Sequence, residues 1–205
     1  MRQERVLINA DHGHYLLFGR DLDFDAGAAV ALNDGVLGPG VVGVTVITGA
    51  QHGPADAVVT VLDEPLRLPP AETVVAAACN LLLPTGRLSI TDWFTAAVFE
   101  HDFGRPLVCA VLVEVEGRDE AAERTEIAPP YERNCLTISP VPLDGGRWRS
   151  SRSDATAGHV AQLADPTGSP APALPDIDPT GTLFGGHAPP LFDGRSQPLP
   201  RRTAD

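Results

Sequence analysis

The stretch LVCAVLVEVEGRDEAAERTEIAPPYERNCLTISPVP, residues 107–142, decides the fold class: a long alternating run, a charged turn and a closing run. Side chains alternate across a strand with a period of two, so Leu107, Cys109, Val111, Val113 and Val115 share one face. The other face starts apolar at Val108, Ala110 and Leu112 and turns charged at Glu114 and Glu116. That run therefore leaves a two-sided core and ends in water. In the closing run Leu136 and Ile138 oppose Thr137 and Ser139, the half-buried pattern of an antiparallel sheet.

Outward from this stretch the chain is punctuated by Gly and Pro. Val6 to Ile8 and Tyr15 to Phe18 read as strand pieces interrupted by the polar ADHGH. DGVLGPGVVGV reads as strand, turn and strand continuing through Val44, Val46 and Thr48. GAQHGPAD reads as a loop, Ala57 to Leu62 as a strand, and DEPLRLPP ends it because proline cannot donate to a ladder. Glu72 to Leu83 (ETVVAAACNLLL) is ambiguous. Its alanines and the spacing of Val74, Val75, Ala78, Leu81 and Leu82 favour a helix, whereas a strand would align Val75, Ala77, Cys79, Leu81 and Leu83. PTGRLSI follows as a turn and a short strand. Closely spaced strands of this kind predict an all-β, antiparallel sandwich of about eight short strands.

The sequence divides by composition. Residues 143–205 hold 9 Pro and 8 Gly among 63 residues, a content typical of low-complexity chain. We expect residues 1–142 to form an acidic β-sandwich domain and 143–205 a disordered Pro/Gly-rich tail, with Trp148, Phe184 and Phe192 as possible anchors for a partner. Charge divides the same way: 20 Asp and Glu against 9 Arg in residues 1–142, a net of −11, and 7 against 6 in the tail. All 15 basic residues are Arg, which fits codon bias in a GC-rich bacterial genome. So acidic a domain repels phosphate backbones, which excludes direct nucleic-acid binding and leaves a basic protein as the expected partner.

Cys79, Cys109 and Cys135 are odd in number and lie in apolar runs, so buried free thiols in a reducing compartment are expected. The N-terminus lacks an apolar signal segment and no run reaches membrane-span length. The expectation is a cytoplasmic protein with no membrane partner.

Chemistry-bearing motifs are sparse. His12 and His14 would share a face on a strand and, with Asp11 nearby, form a weak metal-ligand candidate; no glutamate follows between Tyr15 and Arg20 as a cupin would need, and a solvated turn is the preferred reading. Asp21, Asp23 and Asp25 open like a calcium loop, but Ala26 stands at the glycine position and Leu32 at the closing carboxylate position. A charged strand edge accounts for them instead. His101 with Asp102 is the best acid–base pair, and a hairpin loop explains it equally well. No G-x-S-x-G elbow and no phosphate-binding glycine loop is present, so no catalytic residue and no cofactor is assigned.

LLLPTGRLSI, VCAVLVEVEGRDEAAE and RNCLTISPVPL together resemble a bacterial family of small uncharacterised β-sandwich proteins. Pro84 to Leu88, Gly117 to Asp119 and Pro140 to Pro142 occupy its motif positions. That family is distantly similar to the ComJ-type nuclease-inhibitor proteins. The resemblance implies that Glu72 to Leu83 is a strand against its local helix preference, and that nuclease inhibition is a possible role by analogy. Three functions follow as expectations: a non-enzymatic acidic protein-binding module, an inhibitor or immunity-like regulator of a basic partner such as a nuclease; a small metal-dependent or acid–base enzyme using His12, His14 and His101; or an accessory protein recruiting partners through its tail.

Overall fold

In the computed structural model, which describes residues 1–19, 35–39, 43–92, 97–124, 130–152 and 154, Leu107–Glu116 is a ten-residue strand whose two faces behave as its alternation requires. Cys109, Val111, Val113 and Val115 are buried in the main core and Leu107 packs against it, while Ala110 and Leu112 are buried on the opposite side. Each fully buried Val or Leu contributes about 1.5–3 kcal/mol. Glu114 is half-buried and Glu116 exposed, so the strand does run out into water.

Among the described residues the strands in chain order are β1 (Arg2–Asp11), β2 (His14–Gly19), β3 (Leu37–Pro39), β4 (Gly43–Ile47), β5 (His52–Val61), β6 (Val75–Leu83), β7 (Arg87–Thr91), β8 (Ala97–Asp102), β9 (Leu107–Glu116), β10 (Arg133–Ser139) and β11 (Arg147–Arg149), and there is one short helix, α1 (Arg118–Glu123). They form a single eleven-stranded sheet of order β11-β6-β9-β10-β5-β1-β2-β4-β3, with β7 paired to β2 and β8. The all-β class stands, but the sandwich does not. The one sheet curls until β6 touches β2, β3 and β4, making a half-barrel around the core rather than two facing sheets. Several strands run to ten residues, and the described strands number eleven rather than about eight.

The sheet is also mixed. β10 lies antiparallel to β9 but parallel to β5, with Arg133 beside Asp56 and Ile138 beside Val61. Alternation fixes which face a residue takes and is silent on strand direction, so the parallel pair could not be read from pattern.

Glu72 to Leu83 resolves as strand β6 from Val75 onward. Val75, Ala77, Cys79, Leu81 and Leu83 face the main core, while Ala76 and Ala78 face a second cluster with Leu112. Both faces are buried because one lines the main core and Leu66, Leu143 and Trp148 cover the other, while β9 and β11 pair with the two edges. Tertiary burial overrides the helix propensity of its alanines. Trp148, placed in the expected tail, pairs with Ala78 through β11 and packs on the second cluster beside Leu66, Val74 and Leu143. It anchors the chain to its own sheet.

The polar ADHGH does hold the break between two strands, β1 and β2, and the break is short. Asp11 and His14 close a two-residue hairpin turn in which His12 (φ 50°) and Gly13 (φ 78°) both have positive φ, as a type I′ turn requires. GAQHGPAD, read as a loop, supplies the first half of β5. Pro54 is tolerated there because its nitrogen points the same way as that of Asp56, whose N–H reaches the Glu132 carbonyl; β10 begins only at Arg133, so no ladder bond is lost at Pro54.

Candidate functional site

One end of the sheet gathers the chemistry: there β1 and β9 finish and β5 and β10 begin. The cross-strand register of β1 and β5 sets Asp11 opposite His52, and the hairpin turn sets His12 next to Asp11. The Asp11 carboxylate accepts from both imidazoles, Oδ2 lying 2.8 Å from His12 Nδ1 and Oδ1 2.6 Å from His52 Nδ1. The two rings meet edge to face with centroids 5.3 Å apart. The Asp11 side chain is 9% exposed, against 72% for His12 and 59% for His52. Burial works against the Asp11 charge, but hydrogen bonds and charge from His12 and His52 outweigh it and hold the carboxyl below its usual range.

Turn and loop are sewn together by backbone. The Gly13 N–H donates to the Gln51 carbonyl at 2.9 Å and the Thr48 N–H to the Gly13 carbonyl at 2.8 Å. Behind them lies a buried polar cluster. The Gly49 N–H donates to Glu132 Oε2 at 2.8 Å, and Glu132 is fully buried with Tyr15 and Asn134 as neighbours. Burial raises the Glu132 carboxyl to about 7, opposed by the Gly49 hydrogen bond and the Arg118 charge. Gly49 has to be glycine, since a Cβ there would lie 1.9 Å from the Arg118 carbonyl oxygen.

Arg118, the first residue of α1, has a wholly buried side chain. Its fork donates to both oxygens of Asp154 at 2.8 and 2.6 Å, and Nη1 donates to the carbonyls of Gly35 at 2.6 Å and Ile47 at 3.2 Å. One guanidinium thus ties α1 to the approach to β3, the end of β4 and the segment after β11. Beside it opens a cleft of about 460 Å³, floored by Val74, Val75 and Val115 and rimmed by Glu116, Asp119 and Glu120. The cleft's other arginine, Arg152, donates to the Thr73 carbonyl at 2.7 Å.

The residues singled out in the sequence fare differently. His12 joins a cluster with Asp11, but through His52, a residue that the sequence pattern places in a loop and the structure places at the start of β5. His14 is buried instead, with Nδ1 3.1 Å from the His12 carbonyl oxygen. His101 sits on β8 rather than in a hairpin loop, edge-on to Phe103 at 4.5 Å. Burial and then Arg2 lower its pKa. Asp21, Asp23 and Asp25 lie outside the described residues. Cys79 and Cys109 are buried free thiols, and Cys135 is half-buried on the outer face. No helix among the described residues is long and apolar enough to cross a membrane.

Fold and site define an all-β protein: one curled, mixed sheet with an Asp–His–His corner and an acidic cleft at the same end. No protein-family model matches the sequence, and no curated protein matches it. Among solved structures the chain is similar to ComJ from Bacillus subtilis, described as an inhibitor of the DNA degrading activity of NucA. The two share 7% identity and a TM-score of 0.43 over 69% of this chain and 96% of ComJ. It is also similar to the protein of Crocagin biosynthetic gene J, at 16% identity and a TM-score of 0.41 over 68% of this chain and 99% of the other. ComJ is the type toward which PTGRLSI and residues 107–142 pointed. What ComJ inhibits is a property of ComJ.

Proposed function

We propose that this chain is a non-enzymatic, acidic protein-binding module that engages a basic partner at the cleft beside α1. The observation that carries the reading is the rim of Glu116, Asp119 and Glu120 around a cleft whose two arginines are engaged, Arg118 with Asp154 and Arg152 with the Thr73 carbonyl. The net of −11 over residues 1–142 adds a long-range field of the same sign. Burial and then the neighbouring Glu116 hold the Glu114 carboxyl above its usual range. In the finer reading the partner is a nuclease or toxin. A groove built to hold phosphates is lined with cations, and an acidic rim complements it.

The full chain, immobilised, should capture a basic protein from its own lysate at low salt, and the purified partner should bind less tightly as salt rises. Glu116→Arg with Glu120→Arg should weaken that binding at least about tenfold by placing like charges opposite the partner. Binding that ignores both salt and these reversals would remove the reading, as would a partner that is not basic.

A further inference from the structure

The Asp–His–His corner does something that the acidic cleft does not require. We propose that Asp11, His12 and His52 form a binding site for a divalent transition-metal ion of the Zn²⁺ class, held by two imidazoles and one carboxylate with solvent completing the coordination. The donor atoms of the three side chains lie within 4.8 Å of one another. The 2.8 and 2.6 Å separations between the carboxylate oxygens and the two Nδ1 atoms are shorter than the edge of about 3.4 Å between donors around a tetrahedral ion with bonds of about 2.1 Å, so the exposed imidazoles need to swing outward by less than about 1 Å to admit it. The ion replaces the two shared protons: each Nδ1 proton moves to Nε2 or leaves to solvent, and the neutral imidazole presents its lone pair.

The donor set selects the metal. Imidazole nitrogen suits Zn²⁺, Ni²⁺, Co²⁺ and Cu²⁺, whereas Mg²⁺ and Ca²⁺ want all-oxygen shells. The site is preorganised, because Gly13 bonds to both Gln51 and Thr48 and so fixes the turn bearing His12 against the loop leading to His52. It is open on one side, since both rings are more than half exposed while the carboxylate is buried. A bound ion fastens the corner at which β1 parts from β5, since β1 and β2 share only the Asp11–His14 pair.

The test uses the full chain stripped of metal and titrated calorimetrically with ZnCl₂, with CoCl₂ absorption as a second readout. One ion per chain is expected. His52→Ala and His12→Asn should each weaken binding at least about tenfold. His12→Asn suits the turn, so its metal-free melting temperature should match or exceed the parent's while metal binding falls. Binding unchanged in both variants would assign the ion to other histidines and overturn the site; so would the lack of saturable one-to-one binding below about 1 mM. Neither result bears on the cleft, whose test is salt-dependent capture of a basic protein.

Discussion

Glu132→Gln tests the buried polar cluster in a way that gives a number. The carboxyl rises from 4.5 to about 7 in the folded chain. The folded state therefore binds its proton more tightly than the unfolded state does. Stability from this group is complete below pH 4.5 and is lost as pH rises through 7. The shift corresponds to about 3 kcal/mol in all, most of it falling between pH 5 and pH 8. Lowered carboxyls such as Asp56 titrate below this window. The lowered histidines His14 and His101 act within it with the opposite sign, so the parent's own profile mixes terms. The difference between parent and variant isolates Glu132, because the other groups are common to both.

The assay is urea unfolding of both proteins at pH 5, 6, 7 and 8, followed by circular dichroism. Relative to Glu132→Gln, the parent should lose about 2–3 kcal/mol on going from pH 5 to pH 8. A difference that stays within about 0.5 kcal/mol across the window would mean that Glu132 is ionised throughout, and burial would not be governing it.

Two further predictions concern the Arg118 tie. Arg118→Ala leaves the Asp154 carboxylate and the carbonyls of Gly35 and Ile47 without their shared donor, and should cost about 3–5 kcal/mol in urea unfolding; a loss below about 1 kcal/mol would refute a structural role for the fork. A chain ending at Pro142 loses β11, uncovers Ala76, Ala78 and Leu112, and strands Arg118 without Asp154. It should melt well below a chain ending at residue 160, and equal melting temperatures would show that the boundary at 142 is harmless.

Much of the fold was legible because burial writes itself into alternation. Residues 107–116 carried both faces of β9 in their spelling, and β4 and β7 followed from Val44 and Val46 and from Leu88 and Ile90. β6 was legible only through the neighbouring PTGRLSI, since nine residues of mostly Ala, Val and Leu fit either period. Curling and the parallel β5–β10 pair left no mark, because neither changes which residues are apolar.

The chemistry was far less legible, and the reason is distance along the chain. Arg118 stands in GRDEAAE, where every local rule reads a solvated charged turn; its burial depends on Gly35, Ile47 and Asp154, none of them within ten residues. Gly49 looks like ordinary loop punctuation until the Arg118 carbonyl is placed against it. His52 stands just before Gly53 and Pro54, two residues that argue against a strand, and only the start of β10 at Arg133 explains why a proline is harmless there. Because the Arg118 backbone packs over Gly49 and its guanidinium holds the Ile47 carbonyl, the loop that brings His52 to Asp11 is fixed in part by a residue that also lines the acidic cleft. A substitution at Arg118 should therefore loosen both candidate sites together, whereas His12→Asn should touch the corner alone.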